Sequence, residues 1–213
     1  MSDPGGKLAG KFIVIDGPDG AGKTTQTELL SEFLTESGLD ICRIRDPGGT
    51  AVGDEIRTIL LDRRHGRMSV RCELMLYMAS RAQLACEVIV PALAEGKCVL
   101  GDRYVSSTIA YQGAGGADVE AITQAARIAV GETMPDLTVI LDIDPEIGLA
   151  RAAREGQADR IESKDIEYHR KVREIFLSQA RDRPERFTVI SGAGSVDQIQ
   201  QQLRDTLDAW NWA

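Results

Sequence analysis

Residues 11–25, Lys-Phe-Ile-Val-Ile-Asp-Gly-Pro-Asp-Gly-Ala-Gly-Lys-Thr-Thr, place a glycine-rich loop between an apolar run and a segment of helical pattern. The spacing is G-x-x-x-x-G-K-T, from Gly17 through Gly22 and Lys23 to Thr24. Gly17, Gly20 and Gly22 let the backbone curl until its N–H groups point inward at phosphate oxygens, with Pro18, Asp19 and Ala21 completing the loop. Lys23 adds a mobile positive charge, and Thr24 supplies a hydroxyl suited to Mg²⁺. A helix beginning near Thr24 brings its positive dipole end to the same place. The loop predicts binding of a nucleoside triphosphate with Mg²⁺, and it requires a strand before it and a helix after it.

The rest of the chain continues that alternation. Candidate strands lie at 11–16, 41–45, 98–101, 137–142 and 187–190, with helical patterns between them. Such an order predicts an α/β fold, a parallel sheet of five strands flanked by helices on both faces. The first helix is expected over 24–37, ending at Gly38. The last is expected from Ser195, where Ser-Val-Asp-Gln forms a capping box, to about Trp210. A long apolar-periodic stretch over 69–95 contains Pro91, so a kink or a new helix start is expected there. Residues 1–10 read as a loose tail, and 11–213 as a single domain.

Composition limits the possible partners. The chain has 213 residues, 43% of them hydrophobic, and a net charge of −8 from 25 basic and 33 acidic side chains. That sign argues against non-specific affinity for nucleic acid or an anionic membrane, so phosphate binding must come from locally placed arginines. No apolar run approaches a membrane span, and the opening residues lack a signal-peptide core, which makes cytoplasmic location the expectation. Cys42, Cys72, Cys86 and Cys98 are scattered in apolar segments without zinc spacing and read as reduced core residues.

In an open parallel sheet, ligands bind outside the carboxyl ends of the strands. The first strand runs into the phosphate loop, the second into Arg45-Asp46-Pro47-Gly48-Gly49-Thr50, the third into Asp102-Arg103-Tyr104, and the fourth into Asp142-Ile143-Asp144-Pro145. Asp144 before Pro145 fits the cap and first position of a helix. Asp102 and Arg103 read either as a surface ion pair or as part of a phosphate site, and their place beside the loop favours the second.

Gly-Pro-Asp-Gly-Ala-Gly-Lys-Thr-Thr-Gln, Arg-Asp-Pro-Gly-Gly-Thr, Asp-Arg-Tyr-Val-Ser-Ser-Thr-Ile-Ala-Tyr-Gln-Gly and Asp-Arg-Ile-Glu at 159–162 together resemble the bacterial thymidylate kinase family. The resemblance covers residues 11 to about 210. It implies the P-loop nucleoside monophosphate kinase fold, transfer of the γ-phosphoryl group of ATP to dTMP to give dTDP and ADP, Mg²⁺ with the ATP, and a homodimer. It also implies that Arg103 holds the acceptor phosphate and Asp102 assists the Mg²⁺ site with Thr24. The aromatic ring stacked on thymine would be Tyr77, where the family usually has Phe, and Arg81, four residues on, would donate to a thymine carbonyl. Asp19 would face the acceptor's sugar, Ser107 and Gln112 would contact thymine, Tyr111 would pack near the 2′ position, and Arg57 would line the acceptor pocket. Asp16 and Asp46 stand where the family carries glutamate, so a contact from Asp46 must be reached differently.

The segment 151–163 resembles the family's lid. Gly20 occupies a loop position where one class of these kinases carries arginine, so the resemblance assigns the transition-state cations to Arg151 and Arg160, beside the loop's Lys23. Ala153 and Glu155 fall where basic residues are expected, and Arg154 reads either as their substitute or as part of a solvated helix face. Another nucleoside monophosphate or deoxynucleoside kinase shares the loop and sheet, and a nucleotide-dependent switch shares the loop. Convergence of Arg57, Tyr77, Arg81 and Arg103 on one pocket separates a kinase from the switch.

Overall fold

A computed structural model describes residues 7–155 and 159–212. Five strands, β1 (Phe12–Asp16), β2 (Ile41–Arg45), β3 (Cys98–Asp102), β4 (Leu137–Asp142) and β5 (Phe187–Ser191), form one parallel sheet in the order β2-β3-β1-β4-β5. The strand carrying the phosphate loop is therefore central. All five residues of β1 and of β3 are buried, as strands covered on both faces must be. The order reverses on either side of β1, which opens a crevice at the carboxyl ends of β1, β3 and β4.

Alternation along β1 assigns its side chains to two cores. Ile13 and Ile15 pack with Leu30 and Leu34 of α1 (Lys23–Glu36) and with Leu203 and Leu207 of α9 (Val196–Ala209). Phe12 and Val14 face the other way, toward Leu74 and Met78 of α3 (Val70–Leu84) and Ile109 of α5 (Val105–Ala114). The remaining helices are α2 (Ala51–Leu61), α4 (Val90–Ala94), α6 (Val119–Val130), α7 (Pro145–Glu155) and α8 (Ile166–Asp182). Tyr111 of α5 joins Ile140, Tyr168, Val172 and Phe176 in a third cluster that seats α8 against the sheet.

The strands fall within one residue of expectation at each end, and the Ser195 cap of α9 is a complete capping box. Asp144 Oδ1 accepts from the Glu146 backbone N–H at 3.0 Å, so it caps α7 as read. The helix start expected at Pro91 is present, since α4 begins at Val90, and residues Ala85–Ile89 form a π turn before it. Proline lacks an N–H, and its ring crowds the carbonyl four residues back, so the wider turn relieves both within one continuous rod. Two readings need correction. The cysteines are not all core residues, since Cys72 and Cys86 are exposed and only Cys98 is buried.

The second correction concerns the amino-terminal segment. Residues 1–6 lie outside the described residues, but Leu8 is buried in the core under α1 and α9, and the Gly10 N–H donates to the Gly96 carbonyl at 2.9 Å. The packed chain begins before residue 11. Leu8→Ala is expected to lower stability by about 2–4 kcal/mol, the cost of emptying a buried leucine site. Urea denaturation monitored by circular dichroism checks this, and an unchanged midpoint would return the segment to a loose tail.

Candidate active site

The phosphate loop joins β1 to α1 with its donors left open. Gly22 occupies the N-cap of α1 in a left-handed conformation (φ 86°) with no side-chain cap, and no acidic residue stands in the helix's first turn. The helix's N-terminal N–H groups and dipole are thus unopposed, which is the arrangement that receives an anion. Lys23 is 7% exposed, and its Nζ donates to the Pro18 carbonyl at 2.6 Å across the loop. Burial and the neighbouring Arg103 depress its pKa to about 8, against the pull of Asp19, Asp102 and Asp16.

Gly20 explains its own identity. A Cβ there would overlap the backbone carbonyl of Gly148, because α7 lies directly on the loop. The position that carries arginine in one class of these kinases therefore has no room for any side chain in this chain.

A cavity of about 360 Å³ opens beside the loop. Lys23, Thr24, Arg57, Tyr77, Asp102, Arg103 and Gln112 all line it. Arg103 follows β3 with φ 70°, a left-handed conformation unusual for a residue bearing a Cβ. Its backbone N–H donates to Ile15, the last but one residue of β1, and the guanidinium turns back over the loop. There Nη2 donates to Asp19 Oδ1 at 2.5 Å, while Nη1 donates to the Gly17 carbonyl, Ser107 Oγ and Tyr111 Oη at 3.1–3.2 Å. Burial opposes the Arg103 charge, but Tyr111, Asp19, Asp16 and Asp102 raise its pKa well above the ordinary value. Burial likewise works against Asp19, yet Arg103 and Lys23 hold its carboxyl below the usual range.

Thr24 Oγ1 donates to Asp102 Oδ2 at 2.6 Å, so the two residues expected to serve Mg²⁺ are adjacent. Both offer hard oxygen donors at the edge of the phosphate loop, a set that suits Mg²⁺ completed by phosphate oxygens and water. Among the described residues no group of three or more His, Cys, Asp or Glu side chains forms a metal cage.

The acceptor-side residues expected from the resemblance converge, with differences in what each does. Arg57 reaches back from α2 to donate to the Pro47 carbonyl at 2.9 Å, and burial together with Arg45 and Arg103 lowers its pKa. Tyr77 is half-buried on α3 and lines the cavity. Arg81 is 1% exposed: Nε donates to Asp46 Oδ2 at 2.6 Å, and Nη2 to the Tyr104 carbonyl and Thr108 Oγ1. Its Nη1 has only the weak acceptor Met78 Sδ at 3.5 Å and is the donor left for a ligand. Asp46, shortened from the usual glutamate, therefore acts on Arg81; its Oδ1 is buried without a partner, and burial raises its pKa despite the arginine.

Ser107 is also redirected. Its hydroxyl donates to Asp16 Oδ1 at 2.7 Å and accepts from Arg103, so the serine's proton is used within the protein. Asp16, fully buried, accepts from Gly17 N, Ser106 and Ser107, which braces the loop against α5.

The arginines of the expected lid make contacts away from the cavity in this structure. Arg160 is 7% exposed and does not line the cavity: its Nε donates to the Leu60 carbonyl at 2.7 Å, and Nη2 pairs with Glu73 Oε2 at 2.5 Å. It anchors the segment after α7 to α2 and α3 instead of offering a free cation to the phosphate loop. Arg151 donates to the Gly192 carbonyl at 2.9 Å beyond β5, and it too is absent from the cavity wall. Arg154 is exposed on α7, and residues 156–158 of the expected lid lie outside the described residues.

Two residues at the site were not anticipated. His169 of α8 is 3% exposed with Nδ1 3.8 Å from Asp19 Oδ2; burial lowers its pKa. Glu73 is buried on α3 between Gln112 and Arg160. Its position four residues before Tyr77 and eight before Arg81 places it on their helix face, a signal present in the spacing.

A sequence profile of thymidylate kinase matches residues 15–203. The thymidylate kinase of Caldanaerobacter subterraneus subsp. tengcongensis is 47% identical over 198 residues, covering 92% of this chain and 94% of that protein. That of Exiguobacterium sp. is 44% identical over 199 residues, covering 93% and 94%. The crystal structure of thymidylate kinase from Ehrlichia chaffeensis superposes with a TM-score of 0.77 at 29% identity, covering 94% of this chain and 99% of that one. With the profile spanning most of the chain and the sheet and phosphate loop in their places, the chain belongs to the thymidylate kinase family.

Proposed function

We propose that this chain transfers the γ-phosphoryl group of ATP to dTMP, giving dTDP and ADP for dTTP synthesis. The observation that carries the reading is the shared cavity: Lys23 and Thr24 of the phosphate loop and Arg103, Arg57 and Tyr77 open onto one space. Phosphoryl transfer between two anions requires alignment and charge neutralisation more than covalent chemistry. The loop amides and Lys23 receive the donor phosphates. Arg103, held from beneath by Asp19 and the Gly17 carbonyl, faces the acceptor phosphate, and Arg57 extends the positive wall. Asp19 faces the acceptor's sugar, Tyr111 packs beneath it, and Tyr77 offers a face to the base. Thr24 and Asp102 would hold Mg²⁺, which when bound neutralises phosphate charge.

Arg151 and Arg160 remain outside this assignment while their guanidinium groups are bonded to Gly192 and to Leu60 and Glu73. A homodimer and cytoplasmic location belong to the same reading. Exposed Val52 and Ile59 on α2 and Met75 on α3 favour a second copy, and among the described residues no helix is long and apolar enough to cross a membrane.

A coupled assay of ADP release with dTMP, dUMP, dCMP, dGMP and thymidine tests the acceptor. The expected order has dTMP first and dCMP, dGMP and thymidine poor; equal efficiency with dCMP or dGMP at subsaturating concentration overturns the reading.

The depressed Lys23 pKa of about 8 gives a second expectation. Below that pH the free protein's amine is already charged; above it the amine is neutral, and bound phosphates recharge it. Calorimetry at pH 8.5 in buffers of different ionisation enthalpy should record proton uptake on ATP binding, with affinity falling at most about tenfold per pH unit above the pKa. Lys23→Ala should abolish the uptake, and an uptake unchanged in that variant contradicts the assignment.

A further inference from the structure

Gln112, on α5, is 1% exposed in the cavity wall. Its Nε2 donates to Glu73 Oε1 at 2.7 Å, while its Oε1 is buried with no partner among the described residues. Glu73, 3% exposed, uses its other oxygen to pair with Arg160 Nη2 at 2.5 Å. A carboxylate is an acceptor only. Turning the Gln112 amide around would set two acceptors against each other in a buried site and leave the amide N–H groups unpaired, a cost of about 1–3 kcal/mol for each lost partner. Glu73 thus fixes which end of the amide is free, and that end is the oxygen. Arg160 supplies the positive partner that makes a buried carboxylate tenable at this position.

We propose that Glu73 is a specificity-determining positioning residue, which holds Gln112 so that the cavity presents an acceptor to the pyrimidine N3 position. The inference rests on the dTMP reading of the cavity. Thymine and uracil carry a proton at N3 and satisfy the orphan oxygen. Cytosine carries a lone pair there, and two acceptors then meet without a proton between them. Arg81 has the complementary polarity at the same helix face, its Nη1 directed by the grip of Asp46 on Nε. Rejection through an unpaired buried group is far stronger than rejection by shape.

The test compares kcat/KM for dTMP and dCMP in the unaltered protein, Glu73→Gln, Gln112→Ala and the double variant. Glutamine at 73 can donate as well as accept, so the Gln112 amide is freed to turn. E73Q should reduce the dTMP preference at least about tenfold, mainly through KM for dTMP, with kcat changed less than about threefold. In the Q112A background the same change should leave the preference unaltered, because the amide it acts on is gone. Glu73→Asp keeps an acceptor-only partner and should retain the preference within about threefold, which decides the matter if E73Q does not fold. An unchanged preference in E73Q, an equal effect of E73Q in the Q112A background, or loss of preference in E73D overturns the assignment. Failure of the unaltered protein to phosphorylate dTMP overturns the acceptor reading itself, whereas normal dTMP turnover with insensitive selectivity overturns only the role of Glu73.

Discussion

The site depends on one arginine held in a backbone conformation that most residues avoid. Arg103 has φ 70°, and its side chain leaves the end of β3 to lie across the phosphate loop, against Asp19, Gly17, Ser107 and Tyr111. Left-handed backbone at a residue with a Cβ is maintained only where its surroundings over-determine it. Here the β1 hydrogen bond fixes the main chain, and four acceptors fix the guanidinium. The end of β3 and α5 are thereby tied to the phosphate loop through one side chain.

A cavity that gathers Lys23, Arg57, Arg81 and Arg103 must manage their repulsion before any anion arrives. The carboxylates do this in distinct ways. Asp19 and Asp16 hold Arg103, and Asp46 takes Arg81 in a pair whose members are each about 1% exposed. Asp102 stays beside Thr24 at the loop. Lys23 and Arg57 are compensated incompletely, and burial with neighbouring arginines lowers the pKa of both. In the proposed reaction the phosphates of the two substrates would complete that balance.

Much of this was legible in the chain. The phosphate loop, the strand alternation and the charged strand ends located the fold and the crevice, because each rests on local spacing. Arg57, Tyr77, Arg81, Arg103 and Gln112 were assigned through family resemblance, and all line one cavity. What spacing could not supply was partner choice. Arg160 reads as a free lid cation until Leu60 and Glu73, about a hundred residues away, are seen to hold it. Ser107 reads as a base contact until Asp16 takes its proton. The fit of Gly20 beneath Gly148 and the packing of Leu8 under α1 are likewise long-range facts, invisible to local pattern.

The central claim is that Arg103, fixed by the loop, binds the phosphate of the acceptor. Its most direct test is calorimetric affinity for dTMP and for thymidine, measured on the unaltered protein and on Arg103→Ala. Loss of a charge-assisted phosphate contact should weaken dTMP binding by at least about tenfold while changing thymidine affinity less than about twofold. Equal dTMP affinity in the two proteins, or parallel loss of both ligands, would contradict it.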